Sequence, residues 1–464
     1  QNNKEIKFIS FNSKTTKKNS IFACNFKKKI KRFYLEEAIK NGVIAIITNK
    51  LIYDINIPQF KVKNISASVK KILYHIRYQA PNNIVGVTGT NGKTSVVWII
   101  SNIIKLCKLN VVTLGTLGHY KNLRKINDSI LTTPEYEILH QIAFSSLSKN
   151  KTEFIFEVSS HGISKKRIEN FPINIAAITN ISQDHLDFHK TMKNYINTKY
   201  KLFLKYLLEN GIAILNDNIN SIDKLKNKLV NKNINIITYG KNNSDINCSF
   251  YKKKIWLKIY KKNYLLKYKF VNTYELDNLS CAIGCSLAIG LTASQIVKVI
   301  PGITRVEGRM QLVDILYNGA KIFVDYAHSP DSLKNILKSN TMNKIKPDLV
   351  FGCGGDRDMS KRKTMGTIAS KYASSVYITD DNPRSENPRI IRKTIFSKCK
   401  KAIDIGDRRE AIKLAINNLK EKSILIIAGK GHEKKQIRFN KVISFDDVKI
   451  SKFIIKKINA NAYK

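Results

Sequence analysis

Apolar runs and polar punctuation alternate along this chain at short intervals. Residues 84–88, Ile-Val-Gly-Val-Thr, form an apolar strand that runs into Gly89-Thr90-Asn91-Gly92-Lys93-Thr94-Ser95, and an apolar stretch with helical spacing follows. Upstream, strands are predicted at 6–9, 20–24 and 43–48. The helix at 35–42 stops on Gly42, and Asn12-Ser13-Lys14 is a polar turn. Ala80-Pro81-Asn82-Asn83 reads as a linker. Downstream, a strand at 111–118 ends in glycines, and a helix is expected to start at Thr132-Thr133-Pro134-Glu135. A strand at 154–158 stops on Glu157, Ser159, Ser160 and His161. Another, at 175–181, runs into Ser182-Gln183-Asp184-His185-Leu186-Asp187. Tyr195 and Lys199 lie on the next helix. Alternation at 249–270 predicts antiparallel strands, and 278–288 is a helix of small residues.

The last third repeats one plan four times. Apolar strands at 322–325, 349–352, 376–379 and 424–428 each run into a loop of Gly, Asp, Arg or His. Strands that alternate with helices indicate parallel sheets, and a chain of 464 residues exceeds one core. The expected fold is α/β in three units: 1–80, 81–303 with a mainly parallel sheet, and 304–464, which is Rossmann-like.

Gly-rich turns between strand and helix present backbone N–H groups to phosphate. Here Lys93 would reach the β/γ-phosphates and the Thr94 hydroxyl would sit on Mg²⁺. Val87 occupies the place of the first Gly in the strict pattern, so the match is to a variant, T-G-T-N-G-K-T. A plain strand-to-helix turn is the bland alternative. In parallel sheets ligands lie at the carboxyl ends of strands, and every polar cluster above is at such an end. Glu157 and His185 therefore can face the same Mg²⁺–phosphate site as Thr94. Spacing alone leaves a second reading open, in which 184–187 cap a helix over a buried His.

Composition narrows the class. Apolar content is 43%, no run of about eighteen apolar residues is present, and residues 1–6 lack the apolar core of a signal peptide. Seven scattered Cys without a CxxC pair read as reduced packing residues of a cytosolic protein. The net charge of +46 invites a nucleic-acid or anionic-membrane reading. The Lys residues are dispersed, however, and Lys, Asn and Ile are abundant everywhere, so biased codon usage is the favoured explanation. Arg is scarce: ten of the fourteen Arg lie after residue 300, several inside Gly- and Asp-rich loops. Lys replaces Arg poorly where a bidentate fork is needed, which gives those few weight.

The ordered motifs resemble those of the Mur ligases, in particular the MurE branch, which adds the third residue of the peptidoglycan stem peptide. They are Thr-Gly-Thr-Asn-Gly-Lys-Thr (88–94), Thr-Thr-Pro-Glu (132–135), Glu-Val-Ser-Ser-His-Gly (157–162), Asp-His-Leu-Asp (184–187), Gly-Arg-Met (308–310), Asp-Tyr-Ala-His-Ser-Pro-Asp (325–331), Gly-Cys-Gly-Gly-Asp-Arg-Asp (352–358), Asp-Asn-Pro-Arg (381–384) and Gly-Lys-Gly-His-Glu (429–433). The resemblance spans essentially the whole chain. It implies a UDP-binding unit, a central ATPase and a C-terminal amino-acid-binding unit. ATP would phosphorylate the carboxylate of UDP-N-acetylmuramoyl-L-alanyl-D-glutamate, and an amine would attack the acyl phosphate. Thr94 and Glu157 would serve one Mg²⁺; His185 and a carbamylated Lys199 would serve a second. Gly89, Thr90, Asn91, Gly92, Lys93, Thr94, Ser95, Asn278, Arg309, Asp325 and His328 form the implied ATP set. Ser13, Thr132, Thr133, Ser159, Lys165 and Arg167 form the implied set for the UDP-sugar dipeptide. Lys165 stands where the family usually has Gln, Glu275 where Asn is common, and Asn12-Ser13-Lys14 where Asp-Ser-Arg is usual.

Within that branch, Arg after Asp-Asn-Pro goes with meso-diaminopimelate, and Arg384 holds that place. Its guanidinium suits the carboxylate that L-lysine lacks. Arg357 offers a second fork, and Asp381, Asn382, Pro383, Gly429 and Glu433 complete the implied amino-acid site. A structural ion pair of Arg384 with Glu386 or Asp380 is the competing reading. The expected protein is a cytoplasmic monomer that acts on small molecules, without membrane or specific nucleic-acid partners. The rival functions are a folylpolyglutamate synthase, which the 132–135 and 381–384 motifs disfavour, and a basic nucleic-acid-stimulated ATPase.

Overall fold

The computed structural model describes residues 6, 8–24, 32–75, 80–129, 131–145, 151–268, 274–341, 346–439 and 441–462. Its sheets are built in chain order. The first is fully parallel: β1 (Phe8–Ser10), β2 (Ser20–Cys24), β3 (Val43–Thr48) and β4 (Gln59–Lys61), in that spatial order. The polar turn is a single 3-10 turn, Ser13–Thr15, capped by the Asn12 side chain.

The second sheet holds β5 (Ile84–Thr88), β6 (Asn110–Gly115), β7 (Gly118–Lys121), β8 (Arg124–Asn127), β9 (Thr152–Glu157), β10 (Ile173–Ile178), β11 (Leu207–Asn216), β12 (Asn235–Tyr239), β13 (Ile246–Tyr251), β14 (Lys254–Ile259) and β15 (Lys262–Leu266). Its order is β15-β14-β13-β12-β11-β10-β5-β9-β6-β7-β8, with a parallel centre and an antiparallel hairpin set at each end. The strand expected at 111–118 is thus two strands. It turns back between Gly115 and Gly118, and the Glu157 carboxylate occupies the space where a Gly115 side chain would begin, 2.2 Å from an added Cβ. The helices Lys93–Leu106 and Tyr274–Ala288 pack together on one face, burying Val96, Ile100 and Ile103 against Leu279 and Ile283. A Phe-rich cluster with Phe154, Phe156, Phe171 and Phe203 fills the other. Apolar burial on both faces explains why the central strands read as continuous apolar runs. The helix expected at Pro134 begins at Tyr136, because Thr133 is tied to the strand end beside it (below).

The third sheet holds β16 (Gln311–Ile315), β17 (Lys321–Asp325), β18 (Asp348–Phe351), β19 (Val376–Ile378), β20 (Ile403–Asp404) and β21 (Ile424–Ala428), in the order β16-β17-β21-β18-β19-β20. All neighbours are parallel except the added edge strand β16. The four expected strands are its middle. A final hairpin, β22 (Lys435–Arg438) with β23 (Lys441–Ser444), follows β21; the sequence reading missed it because its outward residues are mostly polar. Among the described residues no helix is long and apolar enough to cross a membrane. All seven Cys are free, and six of them are buried.

Candidate active site

The carboxyl ends of the second and third sheets enclose one cleft of about 800 Å³. On one side it is lined by Thr90, Asn91, Gly92, Lys93, Thr94, Ser95, Thr132, Glu157, Ser159, His185 and Asn278. Facing them are Arg309, Asp325, His328, Arg357, Asp381, Asn382, Arg384, Gly429 and Glu433.

The turn after β5 is held open by its glycines. Gly89 has φ +142°, and a Cβ there would meet the Thr179 hydroxyl at 1.8 Å. Gly92 has φ +83° and lies under the Asn278 side chain, which packs where a Cβ would go. Lys93 folds back over the turn and donates to the Gly89 and Thr90 carbonyls, each at 2.9 Å. Lys199, fully buried on the helix Met192–Lys201, donates to the same Gly89 carbonyl at 2.7 Å. Its ammonium lies 4.5 Å from the centre of the Tyr195 ring, and the Tyr195 hydroxyl is 3.0 Å from Thr90 Oγ1. Burial first, and Lys93 second, lower the Lys199 pKa well below the ordinary value. Burial also lowers that of Lys93, against the pull of Glu157.

Glu157, at the end of β9, gathers hydroxyls. It accepts from Thr94 Oγ1 and Thr116 Oγ1 at 3.1 Å and from the Thr116 backbone N–H at 2.7 Å. Thr116 in turn touches Thr132, 3.1 Å between hydroxyls. Thr133 donates to the Glu157 carbonyl at 2.9 Å and lies 3.1 Å from the Ser159 hydroxyl. Arg167 donates to the Thr133 carbonyl at 2.9 Å and pairs with Glu135 at 2.8 Å. Four of the six residues expected for the sugar-peptide thus form one network, although Thr133 and Arg167 stand behind the cleft wall. Lys165 is exposed and takes no part in it. Ser13 lies in the first sheet's loop, donating to Glu37 at 2.5 Å, and does not line the cleft.

His185 precedes the short helix Leu186–His189 in a left-handed conformation and makes no side-chain cap bond. It faces the cleft, while His189 is the buried member. Residues 184–187 thus do open a helix over a buried His, with His185 at its N-cap position, but the His185 side chain borders the cleft and caps nothing. Desolvation brings its pKa down to about 3, although Asp184 pulls the other way with a carboxylate oxygen 3.4 Å from Nε2. Burial thus favours the neutral imidazole.

Two contacts cross between the sheets. Arg309 reaches Thr94 Oγ1 at 3.4 Å while its guanidinium lies over the Tyr326 ring at 4.3 Å. Asn91 reaches Ser329 at 3.5 Å. Asp325 spends both oxygens on backbone, accepting from Met310 N at 2.6 Å and Ala327 N at 2.7 Å, so it shapes the loop that carries His328. Lys361, unremarked in the sequence, donates to the His328 carbonyl at 2.9 Å.

At the far end, the competing reading of Arg384 is overturned. Glu386 pairs with Arg362 at 2.8 Å, and Asp380 pairs with Arg392. Arg384 makes no ion pair among the described residues; it donates to the Gly355 carbonyl at 2.7 Å. The missed hairpin clamps this loop: Gln436 donates to the carbonyls of Asp380 and Asp381, and the Arg384 backbone N–H donates to the Ile437 carbonyl at 3.1 Å. Arg362 and Arg392 were readable as members of the scarce Arg set; Thr116 and Gln436 carried no signal.

A variant phosphate-binding turn facing a Rossmann-like sheet across a polar cleft defines an ATP-dependent ligase of the three-unit α/β class. The chain belongs to the Mur ligase family: it matches the Mur ligase middle domain over residues 87–286 and the Mur ligase glutamate ligase domain over 308–431. It is 36% identical over 467 residues to the UDP-N-acetylmuramoyl-L-alanyl-D-glutamate–2,6-diaminopimelate ligase of Rickettsia montanensis, covering 97% of this chain and 96% of the relative. It is 37% identical over 473 residues to the same-named ligase of Buchnera aphidicola subsp. Baizongia pistaciae, covering 97% and 90%. Among solved structures, a UDP-N-acetylmuramoyl-L-alanyl-D-glutamate–2,6-diaminopimelate ligase aligns with TM-score 0.64 and 28% identity, over 97% of this chain and 95% of that one. MurF ligase from Thermotoga maritima in complex with ADP aligns with TM-score 0.72 and 18% identity, a likeness of fold over the full length of both chains.

Proposed function

We propose that this chain adds meso-2,6-diaminopimelate to UDP-N-acetylmuramoyl-L-alanyl-D-glutamate, with ATP, through an acyl phosphate. The residues divide the work by position. Backbone N–H groups at 89–95 cradle the phosphates, and Lys93 leaves its two carbonyls to neutralise charge on the transferring phosphoryl group. Arg309 brings a second cation from the opposite sheet. Asn278 packs beside the turn on the nucleotide side. Thr132 and Ser159 bind the sugar-peptide, with Thr133 and Arg167 holding them, while Ser13 meets the uridine end. The diaminopimelate amine then attacks the acyl carbon, and phosphate leaves.

Mg²⁺ fits part of this site. Thr94 and Glu157 are hard oxygen donors that already converge, and a neutral His185 is an acceptable neighbour. An ammonium at Lys199 does not fit a cation, whereas its carbamate does. The depressed proton affinity of Lys199 favours the free amine that carbamylation requires. When bound, the metal lowers the repulsion between the anionic reactants. Three units divided at 1–80, 81–303 and 304–464, a monomeric state, a cytoplasmic setting and the absence of specific nucleic-acid partners belong to the same reading.

One observation carries the choice of amino acid. Arg384 lines the cleft while Glu386 and Asp380, the carboxylates of the competing reading, are held by other arginines. Its guanidinium, bound to backbone carbonyls but to no carboxylate among the described residues, matches the second carboxylate of diaminopimelate. The test is phosphate release by purified enzyme with ATP and the UDP-sugar dipeptide, dependent on added amino acid. Preference for L-lysine over meso-diaminopimelate would refute the assignment.

A further inference from the structure

The turn after β21 buries a lysine that the proposed reaction does not use. Lys430 is fully buried, and its Nζ spends all three donors: on the Lys435 carbonyl at 2.7 Å, on Asn382 Oδ1 at 3.2 Å and on Glu433 Oε2 at 3.3 Å. Asn382 Oδ1 also accepts the Ile437 backbone N–H at 2.9 Å. Two donors on that side leave the Asn382 amide one orientation, because a flipped amide would set its own N–H groups against an ammonium and an N–H. The Nδ2 group therefore faces Glu433 and donates to Oε2 at 2.8 Å. Glu433 is thus gripped through Oε2 by two donors, and Oε1 takes no hydrogen bond among the described residues. The carboxylate lines the cleft on the same wall as Arg384.

From this geometry we infer that Lys430 is a positioning residue for the amino-acid substrate: it orients Asn382 and pins one oxygen of Glu433 so that the other meets the substrate's distal ammonium. The inference rests on the diaminopimelate reading above. Lys430 touches no substrate; its charge is sealed behind Asn382 and Glu433. A carboxylate with both oxygens free to rotate would receive an ammonium with less geometric preference, so Lys430 acts on selectivity more than on the chemical step.

The experiment compares meso-diaminopimelate with 2-aminopimelate, the same molecule without the distal ammonium. Wild-type enzyme favours diaminopimelate in kcat/KM by roughly tenfold or more, the range of one charge-assisted hydrogen bond. In Lys430→Met that preference collapses toward unity, through a raised KM for diaminopimelate, while KM for ATP and for the UDP-sugar dipeptide stay within about twofold. Lys430→Gln keeps a donor for Asn382 and falls between the two, and it serves as the folded probe if the Met variant is insoluble. A folded variant with the wild-type ratio overturns the inference and leaves the substrate reading intact. Equal loss across all three substrates overturns it too, as a structural defect. Wild-type enzyme that does not use diaminopimelate overturns the substrate reading itself and this inference with it.

Discussion

Lys93 and Lys199 donate to one acceptor, the carbonyl of Gly89, at 2.9 and 2.7 Å. Two ammonium groups on one oxygen repel each other, and Lys199 is fully buried while Lys93 is partly so. In the proposed reading the arrangement is relieved when Lys93 turns toward phosphate and Lys199 gives up its proton. Lys93→Ala is expected to abolish ATP-dependent ligation in a protein whose circular dichroism is unchanged. In the proposed reaction its cation acts on the phosphoryl group in flight, and no other described Lys shares its carbonyls except Lys199. Near-normal turnover in the folded variant would sink the role.

Lys199→Ala is expected to lose most activity and to regain part of it with added acetate or propionate. A carbamate is chemically a carboxylate, and the shortened side chain leaves room for one. Carbamylation joins the Lys199 nitrogen to CO₂ and releases one proton, so it is favoured as pH rises and lost as pH falls. Because burial depresses the pKa of Lys199, the free amine persists to lower pH than for a surface lysine. Wild-type activity at pH 7 should accordingly fall in CO₂-free buffer and return with bicarbonate. Indifference to both, with a fully active alanine variant, would exclude the role.

Arg384→Ala is expected to raise KM for meso-diaminopimelate by about ten- to a hundredfold, the equivalent of about 1.5–3 kcal/mol for one charge-assisted bond. KM for ATP should stay near wild type, since among the described residues the Arg384 side chain reaches the Gly355 and Asn382 carbonyls of its own sheet's loops and no residue of the phosphate turn. Unchanged KM for diaminopimelate would remove Arg384 from the site.

Asp447→Asn tests the frame rather than the chemistry. Arg408 and Asp447 form a fully buried pair at 2.7 Å, and Arg408 also donates to the Ala428 carbonyl, one residue before Gly429. Removing one partner of a buried pair strands the other charge, at a cost of about 3–5 kcal/mol. A clear drop in Tm should appear together with a weaker grip on diaminopimelate. An unchanged Tm would show that the pair is compensated elsewhere.

The charge makes a prediction by its dispersal. No sub-micromolar complex with DNA or RNA is expected at about 150 mM salt, because neutralising many phosphates at once requires a concentrated basic face. A titration by fluorescence anisotropy that shows such a complex would restore the nucleic-acid reading.

Sequence by itself determined the parallel α/β plan and the residues at the strand ends, because both are local. Apolar runs of strand length with Gly, Asp and His at their carboxyl ends need no knowledge of distant partners. The turn at 89–94, Glu157, His185 and the loops after β17, β18, β19 and β21 were legible on those grounds. Tertiary structure alone decided the pairings. Nothing local shows that Glu386 belongs to Arg362 and Asp380 to Arg392, which leaves Arg384 without a carboxylate partner among the described residues. Nothing local shows that Lys199 meets Lys93 across 106 residues at a third residue's carbonyl. The hairpin β22–β23 has almost no apolar alternation to announce it, since it is held by backbone and side-chain hydrogen bonds to the Asp380–Arg384 loop rather than by a core. Pattern encodes which face of an element is buried; which charges meet there depends on how distant elements dock, and that is a property of the folded chain.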